Sequence, residues 1–184
     1  MNPRIAPLLL LLLAACVTAS PSSRLERMCT ELHQEITGRR VGQGEDVAGW
    51  KRQEERLEDV RAIVDRKELA SAADHFHAAV LLVETNKEAD LASAHELALR
   101  AAELGEDRGL RVAAEAQDKL CVKRRIAQRY GTQFVWEPVV KGWRLYPVDP
   151  ATTDAVRAAM GVEPMEKLLE REAELNSITG GKPN

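Results

Sequence analysis

The sequence lacks the short motifs that identify many enzymes and metal sites. It contains no His-Glu-x-x-His, no pair of cysteines at metal-binding spacing and no Gly-x-Ser-x-Gly. It also has no stripe of basic residues interleaved with aromatics, which make up only 4% of the chain. The last absence argues against a nucleic-acid partner. The sequence therefore predicts neither a metal ion nor a cofactor.

Long hydrophobic runs are missing as well. The apolar run at residues 8–13 is well short of the ~20 residues that a membrane-spanning helix needs. Arg4 precedes this run, and Leu-Ala-Ala-Cys follows it, ending at Cys16. This layout is typical of a secretory signal. Its ending resembles the bacterial lipobox, so we predict a signal peptide at residues 1–15 and lipidation of Cys16. A plain secretory signal and an uncleaved anchor are the alternatives.

A lipidated Cys16 would hold the protein at a membrane, because each buried CH₂ group of an acyl chain contributes ~0.8 kcal/mol. Val17 stands where an inner-membrane retention signal would show aspartate. In a Gram-negative cell this favours the cell envelope, with the protein on the periplasmic face of the outer membrane. The membrane is thus the first predicted partner.

The chain has only three cysteines. If Cys16 is lipidated, Cys29 and Cys121 remain, and an oxidising compartment would allow them to form a disulfide. Each also occupies an apolar position of a predicted helix. Both could therefore be small buried hydrophobic residues instead.

Removal of residues 1–15 would leave 169 residues, enough for one domain with its own core. We expect a tether at residues 16–23, a single helical domain at 24–176 and a disordered tail at 177–184. Within the domain, apolar residues at helical spacing predict five long helices. They begin after a cap at Ser23 and then span about 46–65, 68–84, 88–104 and 107–129.

Two details of this helix prediction concern apolar residues and capping. Ile36 and Trp50 fall on the apolar stripes of the first two helices, so we expect both to face the core. Ser71 to Asp74 could form a capping box if the third helix starts later than residue 68. Gly105 follows the fourth helix, where a residue free to adopt positive φ is favoured. The alanine-rich middle resembles hairpins of the tetratricopeptide kind.

The composition changes after Gly131. Segments 132–137 and 143–146 are rich in β-branched and aromatic residues and flank a proline and a glycine. They predict a small β-hairpin near 132–147, with the aromatics as its anchor. Beyond it, Thr153 caps a short helix that ends at Gly161, and a last helix runs from Pro164 to about residue 176. The predicted fold class is mainly α, with packed antiparallel helical hairpins and one β-hairpin.

The first candidate site is a polar stripe on the third helix. Asp74, His77 and Glu84 are spaced near whole helical turns, and Asp118 on the fifth helix could face them. A carboxylate beside a histidine fixes its tautomer and raises its basicity, as general bases require. The alternative is a half-buried structural histidine. The other three histidines have no partner at useful spacing and are interpreted as surface residues, namely His33, His75 and His95.

The second candidate site is the run Gln-Arg-Tyr-Gly-Thr-Gln at 128–133. Gly131 predicts a positive-φ turn, beside which Thr132 and Gln133 offer donors and acceptors. The candidate binding residues here are Gln128, Tyr130, Thr132 and Gln133. Alternatively, these side chains bond unpaired carbonyls at the helix end and lock the hairpin in place.

These runs resemble one bacterial family. Asp-x-Phe-His-Ala-Ala at 74–79, Leu-Ala-x-x-Ala-Ala-x-x-Gly at 97–105 and Gln-x-Tyr-Gly-Thr-Gln at 128–133 are similar to the lipoproteins of the domain-of-unknown-function 6624 family. The resemblance spans residues 55–175 and implies no known activity. This chain departs from the family pattern at Val83-Glu84, where Gln-His is usual, and at Asp118-Lys119, where Asp-Arg is usual.

Two functions are consistent with these features. The favoured one is a lipid-anchored helical module that binds another envelope protein or a glycan. The alternative is an envelope hydrolase that uses His77 with Asp74, Glu84 or Asp118. It requires these groups to converge at the floor of a pocket.

Overall fold

The computed structural model describes residues 19–38 and 47–179. The predicted signal peptide and the first three residues of the predicted tether, 16–18, which include Cys16, lie outside these ranges, as do residues 180–184 of the predicted tail. The described part forms seven helices and one two-stranded antiparallel sheet. In chain order they are α1 (Pro21–Gly38), α2 (Val47–Asp65), α3 (Ala72–Val83), α4 (Glu88–Glu103), α5 (Arg108–Lys123), β1 (Phe134–Glu137), β2 (Gly142–Leu145), α6 (Asp154–Ala159) and α7 (Met165–Thr179). The mainly α fold with a small β-hairpin is confirmed.

Helix α3 is the centre of the helical layer. It contacts α1, α2, α4 and α5, and it is apolar on almost every side. Short connections join α3 to α4 and α4 to α5, so consecutive helices form antiparallel hairpins. Their tetratricopeptide likeness stays a prediction. In the described part of the chain, no helix combines the length and the hydrophobicity that a membrane span requires.

The capping box at the start of α3 is present. The Ser71 hydroxyl accepts a hydrogen bond from the Asp74 N–H at 3.1 Å, and the Asp74 carboxylate accepts one from the Ser71 N–H at 2.9 Å. The helix therefore begins at Ala72, later than the expected residue 68. Gly105 has φ +99° after α4, as predicted.

Three other helix boundaries differ from the prediction. α1 begins at Pro21, inside the expected tether, and α7 continues to Thr179, inside the expected tail. α5 ends at Lys123, well before residue 129, because Arg125 adopts φ +59° and the Ile126 N–H bonds the Cys121 carbonyl. This closes the helix as a glycine usually does. An arginine at that position gives no sequence signal for the stop.

Two apolar residues do not face the core. Trp50 is 69% exposed and Ile36 is 49% exposed. Ile36 lies near the last residue of α1, and Trp50 lies near the first residue of α2. The helical spacing of apolar residues thus predicts which face of a helix is buried, but it does not predict how far along the helix that face is covered.

Small residues let α4 and α5 approach closely. Ala98 and Ala113 are fully buried, and a methyl group added at Gly109 would overlap the Ala98 carbonyl oxygen. The first turn of α5 therefore rests directly on the backbone of α4. This contact fixes the position of α5, which carries Asp118.

The substitution Gly109→Ala tests this contact. Alanine improves helix propensity by about 1 kcal/mol, but overpacking against backbone costs about 1–3 kcal/mol or more. We expect a net loss in the free energy of unfolding, measured by urea denaturation and circular dichroism. Gly38→Ala is the control, since nothing lies within 4 Å of a methyl group there. Equal stability of both variants would contradict the close approach.

Candidate functional site

The Asp118 side chain, near the C-terminal end of α5, is fully buried. Its Oδ1 accepts hydrogen bonds from the backbone N–H groups of Arg129 and Tyr130 at 2.7 and 3.0 Å. Its Oδ2 accepts from the N–H groups of Gly131 and Thr132, both at 2.9 Å, and from the Thr132 hydroxyl at 2.9 Å. The carboxylate therefore fills a ring of donors made by one turn of chain. Such a concave run of N–H groups favours a negative charge.

The geometry of that turn depends on Gly131, which has φ +96° as predicted. A side chain there would also collide with Leu168 of α7. Beside it, Tyr130 is buried in a small second core with Ala114 and Val162. The turn is thus held from inside by Asp118 and from outside by packing against α7.

Gln128 closes the base of the hairpin and is also fully buried. Its Nε2 donates to the carbonyls of Gln133 and Tyr146 at 3.0 and 2.8 Å, and its Oε1 accepts from the Gln133 N–H. Its backbone N–H donates to the Pro147 carbonyl. Both the nitrogen and the oxygen of this side-chain amide are therefore hydrogen-bonded to backbone groups at the base of the hairpin. Gln128 therefore joins the two ends of the hairpin to each other.

The structure brings the 128–133 residues and Asp118 together, and their polar atoms bond one another. The Gln133 Nε2 donates to the Thr132 hydroxyl at 2.9 Å, and that hydroxyl in turn donates to Asp118. The sequence alternative that these groups lock the hairpin describes this arrangement, although they bond hairpin carbonyls rather than carbonyls at the end of α5. They form a rigid support beside a surface, not an open set of ligands.

The polar residues on α3 do not form a common site with Asp118. Asp74 caps the start of α3. Burial alone would raise its pKa, but hydrogen bonds from the Ala70 N–H and from Ser22 and Ser71 hold the pKa of Asp74 below its ordinary value. Glu84, at the other end of the helix, lies 3.9 Å from the Lys119 ammonium. These two carboxylates therefore serve different ends of α3.

His77 lies near the opposite end of α5 from Asp118. Its ring is 5.8 Å from the Phe76 ring, over which the Arg108 guanidinium stacks at 4.4 Å. Asp118 follows Arg108 by ten residues, about 15 Å along a helix. The proposed pairing of His77 with Asp118 therefore does not form. Among residues 19–38 and 47–179, no group of three or more metal-ligating side chains could hold an ion.

Two histidines that we expected at the surface, His75 and His95, are partly buried. The Nδ1 atom of His95 lies 3.0 Å from the Ala113 carbonyl oxygen, across the α4–α5 contact. The alanines that flank it let the two helices come close enough for this bond. His75 bonds the Ser71 carbonyl within its own helix, and His33 is exposed.

The two described cysteines are free thiols. The Cys29 thiol donates to the His77 carbonyl at 3.4 Å, and Cys121 is buried in α5. Of the two sequence alternatives, the structure has the unpaired, buried one. Burial raises the pKa of Cys29 to about 12, so that the thiol stays protonated.

A groove next to the Asp118 turn was not found from the sequence. Its volume is about 780 Å³, and it lies between α5, the turn that enters β1, and α7. Apolar side chains from Phe134, Leu168 and Leu175 contribute to its lining. Charged residues of α7 and Arg111 of α5 form its rim. The sequence indicated one wall of it through Gly131 and Thr132, whereas the charged face of α7 resembles an ordinary solvated helix.

The charges on the rim are matched in pairs. Arg111 donates to Glu163 at 2.7 Å, and this hydrogen bond is the main reason that the pKa of Glu163 is lowered. Lys167 pairs with Glu170, and Arg171 pairs with Glu174, each at 2.7 Å. The groove therefore combines an apolar floor with a rim that has no excess of either sign.

Comparison with known proteins gives no relative: no protein-family model, no curated protein and no solved structure matches this chain. The resemblance to the domain-of-unknown-function 6624 family therefore stays a prediction.

Asp118→Asn tests the role of the buried carboxylate. The side-chain amide of asparagine replaces one acceptor oxygen with an NH₂ group, which would face the backbone N–H groups of the turn and leave buried donors unpaired. We therefore expect a loss of about 3 kcal/mol or more in the free energy of unfolding. Asp107→Asn is the matched control, because Asp107 is exposed and its side chain makes no capping bond. Urea denaturation measures both. A loss below about 1 kcal/mol for Asp118→Asn, within the range of typical single substitutions, would contradict the account.

Alkylation tests the state of Cys29. A rise in pKa from 9.0 to about 12 lowers the thiolate fraction at pH 8 by about a thousandfold, and the thiolate is the reactive form. We expect iodoacetamide to modify Cys29 very slowly in the folded protein and rapidly in urea without added reductant. The modified sites are identified by mass spectrometry. Modification in urea that requires a reductant would instead demonstrate a disulfide.

Proposed function

We propose that this protein is a lipid-anchored component of the cell envelope that binds a partner in the groove between α5 and α7. The groove is the observation that carries this proposal. Ligand sites are concave and mostly apolar, with volumes of roughly 300–1,000 Å³, and this groove has that size and that kind of floor. Envelope proteins and glycans are the partner classes that fit the proposed location.

The structure of the turn beside the groove supports a binding role. Thr132 and Gly131 line the groove, and their backbone groups are fixed by Asp118. A wall held by buried hydrogen bonds keeps its shape before the partner arrives, which reduces the entropy lost on binding. The partner would therefore meet a preformed surface.

The geometry does not favour the hydrolase alternative. A general base must lie within hydrogen-bond reach of the group that it activates. His77 belongs to α3 and lies near the first turn of α5, whereas Asp118 lies near the last turn of α5. The Asp118 carboxylate is also surrounded by backbone donors. Asp74 and Glu84 are likewise engaged in a helix cap and in contact with a lysine.

The proposed anchor is close in sequence to the first helix. Cys16 precedes Pro21, the first residue of α1, by five positions. An extended chain of five residues spans at most about 18 Å. Lipidation of Cys16 would therefore keep the domain near the bilayer surface.

A photocrosslinking experiment in cells tests both parts of the proposal. A photoreactive amino acid replaces Arg171 on the groove rim, and in a matched control it replaces Glu58, an exposed residue of α2. We expect a discrete crosslinked product for the Arg171 position and none for the Glu58 position. The same cells are grown with a labelled palmitate, and we expect label on the wild type but not on Cys16→Ala.

The two results separate the two parts. Failure of palmitate to label the wild type would remove the lipid anchor. Equal crosslinking from both positions, or none from the groove, would remove the groove as the binding surface. Crosslinking that disappears in Cys16→Ala would indicate that the partner is met only at the membrane.

A further inference from the structure

The turn between β1 and β2 exposes aliphatic side chains to solvent. Val139 is 88% exposed and Val140 is 49% exposed, and their neighbours Pro138 and Lys141 are exposed too. We call residues 138–141 the hairpin tip. Single exposed apolar residues are normal on a protein surface. Here, however, two exposed valines are adjacent in the turn of the hairpin, and an exposed proline precedes them.

Directly behind the hairpin tip lies a pair of tryptophans. Trp136 and Trp143 are cross-strand partners, half-buried, with ring centroids 6.0 Å apart and planes at 73°. This edge-to-face arrangement is a favourable one for aromatic pairs. The pair Glu137 and Gly142 lies between these rings and the tip, and the strands continue on the other side with Val135 opposite Arg144.

The hairpin is held rigidly at this end. The Asn176 side chain of α7 accepts from the Trp143 N–H at 2.7 Å and donates to the Trp143 carbonyl at 3.0 Å. Glu172 accepts from the Leu145 N–H at 2.6 Å. These bonds occupy the outer edge of β2, which would otherwise be open to pairing. Ile178, two residues beyond Asn176, is 65% exposed at the same end of α7.

The tip and the strands behind it carry residue types that bilayer surfaces favour. Two aliphatic side chains and the ammonium group of Lys141 lie at the tip itself, and the two tryptophans follow behind the pair formed by Glu137 and Gly142. Tryptophan concentrates at membrane–water interfaces, and lysine keeps its charge in the headgroup region while its stem stays in apolar surroundings. We propose that the hairpin tip inserts into the interface of an anionic phospholipid bilayer as a second membrane contact.

The shape and the charges of the hairpin tip favour a lipid surface over other partners. A convex tip cannot enclose a small molecule, whereas a bilayer deforms around it. The nearest carboxylate, Glu137, accepts from the Val139 N–H at 3.2 Å, and Arg144 pairs with Glu172. Within residues 138–141 Lys141 is the charged residue, and its ammonium group complements an anionic headgroup, while the Glu137 carboxylate next to the tip carries the opposite charge. The proposal rests on the proposed envelope location but not on the groove.

Tryptophan quenching by brominated phospholipids tests the insertion. The mature, lipidated chain carrying Trp50→Phe is reconstituted in vesicles of phosphatidylethanolamine and phosphatidylglycerol, so that only Trp136 and Trp143 emit. We expect brominated acyl chains to quench this emission by about half or more. The double substitution Val139→Asp/Val140→Asp should abolish the quenching. Leu104→Asp, at the exposed leucine that follows α4, is the matched control and should leave the quenching unchanged.

Co-sedimentation of the unlipidated chain measures the tip without the anchor. Burial of two valines is worth about tenfold each in partitioning. We therefore expect the Val139→Asp/Val140→Asp change to lower the vesicle partition coefficient of the mature Cys16→Ala chain by about a hundredfold. The unfolding midpoint should not change, because both side chains are exposed in the folded protein.

The outcomes are distinct. Quenching that persists in the double variant, or no quenching in the parent chain, would overturn the proposal. So would a dimer in solution that the double variant dissociates, since the tip would then bind a second copy of the chain. Failure of palmitate labelling with intact vesicle binding by the unlipidated chain would remove only the lipid anchor, whereas labelling without quenching would remove only the tip insertion.

Discussion

Four consecutive backbone N–H groups, from Arg129 to Thr132, converge on the buried carboxylate of Asp118. A buried charge is tolerated only when it is fully hydrogen-bonded, and buried N–H groups need acceptors just as strongly. Each side of this arrangement therefore requires the other. Without the carboxylate the four N–H groups would lose their acceptor, and without the turn the carboxylate would lose its hydrogen-bond donors inside the protein.

The rest of the C-terminal half depends on that turn. It delivers Gln128 to the base of the hairpin, where the amide joins both strand ends, and it presents Gly131 to Leu168 of α7. α7 then lies along the outer edge of β2 and bonds it through Asn176. The groove and the hairpin tip are thus two surfaces of one supported unit. A partner in the groove and a membrane at the tip would be held at a fixed separation.

The sequence predicted the helices and the hairpin because these depend on local spacing and composition. The role of the hairpin aromatics as its anchor stays a prediction. The capping box at Ser71 and the turn at Gly131 were also readable, since each follows from the chemistry of a few adjacent residues. Two kinds of feature were not. The end of α5 depends on Arg125 in a left-handed conformation, which arginine rarely adopts. The partner of Asp118 and the walls of the groove depend on contacts between distant segments. Asp74, His77 and Glu84 were predicted to form a site because their spacing places them on one face of α3. Spacing does not show which residues of other elements pack against that face.

Amide hydrogen exchange at residues 129–132, followed by nuclear magnetic resonance, tests the central claim most directly. If the Asp118 carboxylate holds this turn, the four amides should exchange only when the whole domain unfolds, at the same rate as buried amides of α3. The free energy of exchange should then follow the global stability as urea is added. Exchange of these four amides as fast as that of the exposed hairpin tip would contradict the account, because the turn would then open without unfolding the domain.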